Sequence, residues 1–226
     1  MTPISNQRIF LMESSRGFSA RGTWLTSVDF ESITCTLCPD HQRPGRRIGT
    51  LEVSFSDSAS DDVLWTWYSE CLMKVEIADH LANARLTGFE LKIANVIDRS
   101  LQTSEIYSEF TITGWGGVAR PESGITLIQK CSVCGMLIYS GVNNWPNLID
   151  WEQWDGADFF MIWPLPRYIF TTARAVELMR QMRLTGVSFR PIEELDQLSG
   201  NLTPGRMSYW FSAKNLKRHR IPGDIL

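Results

Sequence analysis

Histidine is scarce in this chain of 226 residues: only His41, His80 and His219 are present. General acid–base chemistry therefore has few agents, and His80 stands in a helical stretch with no motif around it. No phosphate-binding glycine loop is present either. Gly114-Trp-Gly116-Gly117 lacks the lysine and hydroxyl residue of a P-loop and the spacing of a dinucleotide turn, and it reads as a turn. The opening MTPISNQRIFLMESS has no apolar core of the kind a signal peptide needs, and no later stretch approaches membrane-spanning length. These features predict a cytoplasmic protein with no membrane segment. A basic surplus is also missing. The net charge is −3 and the isoelectric point is about 5.7, which argues against a general nucleic-acid binder. Lys214, Lys217, Arg218, His219 and Arg220 form a local basic run, read as a solvated tail or as a small patch.

What the chain does have is an internal echo. Cys35-Thr-Leu-Cys38 recurs as Cys131-Ser-Val-Cys134, 96 residues on, and Asp62 and Trp67 match Asp158 and Trp163 at the same offset. Arg85-Leu-Thr-Gly88 recurs as Arg183-Leu-Thr-Gly186, 98 residues on. The order and near-constant offset predict two equivalent units, residues 31–97 and 127–195, within a single domain carrying a C-terminal extension, 196–226. The segment between the units is rich in Ser, Gly and Thr. Two such units would pack with an approximate twofold relation that brings equivalent motifs face to face.

Each unit predicts strands, then a helix, then a strand. Strands are expected at 48–55, 136–139, 89–96 and 187–192. Ser69 and Thr172 are the predicted helix N-caps, with Leu72, Val75, Asp79 and Ala82 marking one stripe and Ala175, Val176, Met179 and Met182 the other. Gly88 and Gly186 fit left-handed C-cap positions. The fold class is α+β, with a mostly antiparallel sheet and one helix per unit.

A CxxC turn presents two sulfurs at a separation that suits two corners of a tetrahedron. Two such turns complete a Cys₄ site for Zn²⁺, with Cys35, Cys38, Cys131 and Cys134 as ligands. Gly135 follows the second pair, where a backbone free to turn aims amides at the sulfurs. Pro39 follows the first and removes one amide. A redox dithiol and a disulfide pair are the competing readings, and His41, three residues beyond Cys38, is a competing ligand. Four thiolates leave no coordination position for water, so such a metal would be structural. Cys71 has no counterpart in the second unit and reads as a small buried hydrophobe.

Asp62 and Asp158 could orient the metal ligands from outside or bond backbone at a strand entry. Trp67 and Trp163 read as core. From Cys131 to Pro166 there is no basic residue, yet Asp150, Glu152, Asp155 and Asp158 alternate with Trp145, Trp151, Trp154 and Trp163. That pattern suits either an interface with a basic protein or a buried aromatic strand flanked by acidic loops.

The two CxxC motifs, the WDGADFF stretch at 154–160 and the helix running into RLTG resemble the double-CxxCG family of bacterial proteins, known as immunity partners of swarming-inhibition toxins in myxobacteria. The first motif departs from the family pattern at Pro39. The resemblance implies a cytoplasmic protein that neutralises a cognate toxin by binding it. With the zinc framework read from the CxxC pairs, and with no catalytic set in the sequence, the expectation is a zinc-stabilised binding protein and not an enzyme. A zinc-ribbon-like nucleic-acid-binding or regulatory protein is the alternative.

Overall fold

The structure is a computed structural model, and it describes residues 7–17, 20–55, 60–97, 103–104 and 106–225. The elements in chain order are β1 (Ile9–Ser14), β2 (Thr23–Trp24), β3 (Asp29–Ile33), β4 (Arg43–Ile48), β5 (Leu51–Ser54), β6 (Val63–Trp65), β7 (Cys71–Lys74), α1 (Val75–Asn83), β8 (Phe89–Ile97), β9 (Thr103–Ser104), β10 (Tyr107–Ile112) and β11 (Gly114–Val118). They continue with β12 (Leu127–Lys130), β13 (Leu137–Tyr139), β14 (Phe159–Trp163), β15 (Ile169–Thr172), α2 (Ala173–Gln181), β16 (Val187–Pro191) and α3 (Ala213–Arg218). The class is α+β. Among the described residues the named strands pair antiparallel except for β5 with β8 and β11 with β14, and an isolated parallel bridge joins Gly22 to Thr66.

Two stretches follow the same order: β6-β7-α1-β8 and β14-β15-α2-β16. In each, a strand from elsewhere in the chain is inserted between the strand before the helix and the strand after it. The sheet orders are β6-β7-β10-β8 and β14-β15-β1-β16. Strand β10, which leads into the second stretch, thus completes the sheet of the first, while β1, from the start of the chain, completes the sheet of the second. Residues 98–126, read from sequence as a joining segment, supply β10 and β11. The boundaries at 31 and 127 fall after these exchanged strands.

The helices meet the expectations unevenly. Thr172 caps α2 by accepting the Ala175 amide, and Ala175, Val176 and Met179 face inward as the spacing predicts. Helix α1 begins at Val75, not near Ser69, and Leu72 lies in β7. Ser69 instead takes a left-handed φ of 73° in the β6–β7 turn. The buried stripe of α1 is Ile77, Ala78 and Leu81, one register away from the expected one. Both helices end in a left-handed arginine, Arg85 (φ 59°) and Arg183 (φ 55°). The amides of Leu86 and Leu184 then reach back to the carbonyls of Leu81 and Met179, closing the last turn.

Gly88 and Gly186, expected to be C-caps, do something else. A Cβ on Gly88 would sit 1.9 Å from the Phe159 carbonyl oxygen, and one on Gly186 would sit 1.9 Å from that of Val63. Each glycine lets the turn between helix and last strand of one stretch run against the first strand of the other. Gly114 and Gly116 have the same use in β11, where a Cβ would strike the Phe159 carbonyl or the Phe160 ring. The GWGG segment is therefore a strand under close approach and not a turn.

One core joins both stretches: Val63, Met73, Ile77 and Leu81 pack in the same apolar cluster as Phe159, Phe160, Phe170 and Met179. Trp145 and Trp163 are in it, and Trp151 and Trp154 pack against it. The alternation of tryptophans with acids is thus core packing, with only Trp163 in a strand and Trp145, Trp151 and Trp154 on the loops before it. Trp67 departs from expectation at 49% exposure. His219 is not a solvated tail residue either. Its ring packs beside Trp115 and Phe211, with Nε2 2.9 Å from the Thr113 carbonyl oxygen and Nδ1 3.7 Å from Asp155.

Candidate metal centre

Each CxxC sits at the tip of a two-stranded antiparallel hairpin, β3–β4 for the first and β12–β13 for the second. The hairpins bring sulfurs 96 positions apart in sequence to 3.7 Å, the separation of Cys35 Sγ from Cys131 Sγ. A tetrahedron with metal–sulfur arms of about 2.3 Å has edges of about 3.8 Å. All five cysteines are free thiols. Cys35, Cys38, His41 and Cys131 each offer a donor atom within 4.8 Å of the others, a cluster that could hold a metal ion.

Cys134 lies beside this group. Its sulfur is 3.6 Å from His41 Nδ1, and the Arg43 guanidinium donates to it at 3.4 Å. The four donors that converge are thus three cysteines and His41, with Cys134, the expected fourth thiolate, just outside the set and in contact with His41. His41 stands inside the cluster because a single 3-10 turn, Pro39–His41, follows Cys38 and folds the ring back over the sulfurs, where it is buried. Its spacing, three residues past Cys38, is the signal in the sequence. Arg43 and Arg206 had none. Both donate to the Cys134 carbonyl, at 3.4 and 3.0 Å, and so brace the second knuckle from outside.

The two knuckles differ as their following residues dictate. Gly135 adopts φ 67°, and the amides of Val133 and Cys134 point at Cys131 Sγ while that of Met136 points at Cys134 Sγ. In the first knuckle the Cys38 amide reaches Cys35 Sγ at 3.3 Å, and Pro39 has no amide to offer. The electrostatics follow. Amides from Cys134 and Val133 pull the Cys131 thiol down. Burial pushes Cys134 up, but Arg43, the Met136 amide, His41 and Cys131 outweigh it and bring the thiol to about 6. Cys38 is pushed up, by burial and then by the charges of Cys131 and Cys35. Hydrogen bonds to Cys131 and Cys134 raise His41. Sulfurs this close repel as thiolates, and a divalent cation among them removes that repulsion.

Asp62 and Asp158 have no part in this cluster. Asp158, 5% exposed, accepts the Thr87 amide at 3.0 Å, the Thr172 hydroxyl and the Arg174 guanidinium. Asp62 accepts the Thr185 amide at 2.9 Å, the Thr185 hydroxyl and the Lys74 ammonium. Each aspartate of one stretch thus holds the LTG turn of the other. Cys71 is buried in β7, and burial pushes its thiol up, away from reactivity.

No family model matches the chain, and no curated protein matches it. No described helix is long and apolar enough to cross a membrane.

Proposed function

We propose that the cluster holds a structural Zn²⁺ and that the zinc-fastened fold serves as a protein-binding surface, in the manner of an immunity protein that neutralises a toxin by direct contact. The observation that carries the metal reading is the 3.7 Å approach of Cys35 and Cys131, at the edge length of a zinc–thiolate tetrahedron. Cys35, Cys38 and Cys131 supply three ligands. His41, inside the cluster, is placed to supply the fourth, and Cys134, its thiolate favoured by Arg43 and in contact with His41, stands as the competing fourth ligand. A site closed by protein donors leaves no position for substrate, so the metal adds stability and not catalysis. The exchanged strands and reciprocal aspartate latches support two equivalent units locked by one ion.

The binding role rests on the resemblance to double-CxxCG proteins and on the acidic balance of the chain. Two measurements test the two parts separately. Metal analysis of protein purified without chelator should give one zinc per chain, and none would remove the metal centre. Products of genes adjoining this one, expressed with and without it, should include one whose toxicity the protein relieves. Absence of any toxic neighbour, or toxicity that the protein leaves unchanged, overturns the immunity reading.

A further inference from the structure

Beside the metal centre lies a cleft of about 680 Å³, walled by β4, by the sheet face around Glu109 and Thr111, and by residues 203–210 of the C-terminal extension. Its volume falls within the range of small-ligand sites, about 300–1,000 Å³. Its charge opposes that of the chain. Arg43, Arg46, Arg47, Arg167 and Lys92 line it against only Glu70 and Glu109, in a protein whose net charge is −3.

These cations differ in how firmly they are held. Arg47 is committed to Glu109 at 2.5 Å, and Arg43 to the second knuckle. Arg46 and Lys92 reach Glu31 at 3.3 Å and Glu90 at 3.5 Å, but through side chains about half exposed. Exposed pairs of that kind are held by about 0–1 kcal/mol and give way readily to a stronger anion. Arg167 donates to the Tyr68 carbonyl and rests its guanidinium 5.5 Å from the Trp210 ring centre.

The rest of the lining is aromatic. Half-buried Trp24, Phe30, Tyr209 and Trp210 bound the cleft. Among the lining residues, Arg47 Nε, Thr111 Oγ1 and the Tyr209 hydroxyl are buried atoms without a hydrogen-bond partner. Displaceable cations beside flat rings suit a ligand that is anionic at one end and planar at the other. Guanidinium groups match phosphate oxygens in particular, and indole or phenol faces match a base.

We propose that this cleft binds an organic phosphate of mononucleotide size, its phosphate between Arg46, Lys92 and Arg167 and its ring against the aromatic wall. This goes beyond the zinc and immunity reading and does not depend on it. The full-length protein, as purified, is titrated with adenosine monophosphate by calorimetry at low salt, and in parallel with adenosine, inorganic phosphate and a single-stranded oligonucleotide. Saturable binding of the mononucleotide is expected, weakening as salt is added. Adenosine and inorganic phosphate should each bind at least about tenfold more weakly, a loss of about 1.4 kcal/mol. The variant R46E/K92E changes two exposed side chains outside the core, and it should keep the wild-type melting temperature while losing about tenfold or more in affinity.

Four results overturn the proposal. The first is no mononucleotide binding at millimolar concentration. The second is binding that R46E/K92E leaves unchanged. The third is phosphate binding as tight as the mononucleotide, which would leave the aromatic wall without a part. Binding of the oligonucleotide alone likewise overturns it, in favour of a nucleic-acid surface.

Discussion

The two strand–strand–helix–strand stretches share a skeleton and differ in how deeply they bury the same contacts. In the second stretch every residue of β14 and β15 is buried, and the side chain of its aspartate, Asp158, is 7% exposed. In the first stretch the side chain of the matching Asp62 is about a fifth exposed, at 22%. The knuckles repeat the contrast. The second receives amides from Val133, Cys134 and Met136 and two arginines on its carbonyl, whereas the first ends in a proline and leaves Cys38 partly exposed. Equal geometry therefore does not mean equal energy: polar contacts matter more where water cannot replace them.

The candidate metal centre is the strongest place to break this comparison, because its cysteines come from both hairpins. Cys131→Ser should lose the metal and several kcal/mol of stability, seen as a lower melting temperature of the whole chain in a single transition. If chelator and Cys131→Ser each leave the thermal transition in place, the cluster holds no structural ion. The comparison between knuckles predicts a smaller loss of metal affinity for Cys38→Ser, at the exposed corner, than for Cys131→Ser.

Next come the latches. Asp158→Ala leaves the Thr87 amide and Thr172 hydroxyl without an acceptor and should cost about 2–4 kcal/mol. Asp62→Ala, where water can replace the carboxylate, should cost about 1–2 kcal/mol. Urea unfolding of the two variants checks the order, and equal losses would show that burial does not separate the halves. The glycines sharpen the comparison from the other side. Gly88→Ala and Gly186→Ala meet the same obstacle, a carbonyl oxygen 1.9 Å from the new Cβ at φ of 93° and 81°. Backbone strain alone costs about 1–3 kcal/mol and the clash with a backbone oxygen adds to it, so both should lose more than that, with little difference between them.

Much of this was legible in sequence, and the misses have physical causes. The α+β class, the Thr172 cap and the convergence of Cys35 with Cys131 follow from hydroxyl chemistry, spacing and the repeated motif. The start of α1 was misplaced because Leu72 and Met73 continue an apolar pattern that a strand and a helix can both use, and only the strand pairing of β7 with β10 decides between them. The exchanged strands β1 and β10 left no trace, since nothing local in IFLMES or YSEFTI says which sheet they complete. Arg43 and Arg206 were invisible for a similar reason: their partner, the Cys134 carbonyl, is backbone and far along the chain.

The smallest expected effect concerns acid. Burial alone would raise the Asp62 carboxyl, but the hydrogen bonds from Lys74 and from the amide and hydroxyl of Thr185, with the charge of Lys74, hold it below the ordinary carboxylate range. A depressed carboxylate stabilises the folded state above its unfolded value, about 3.9, and loses that contribution as pH falls through its folded value. Asp62→Asn removes the ionisation while keeping the shape. The stability difference between wild type and Asp62→Asn should therefore be constant from pH 7 to about 5 and shrink below about 4. Protonation of the cysteine cluster destabilises both proteins alike, and it cancels in the difference because Asp62 shares no partner with the cysteines. A difference that stays constant down to pH 3 would mean that the Asp62 latch works by hydrogen bonding alone, without its charge.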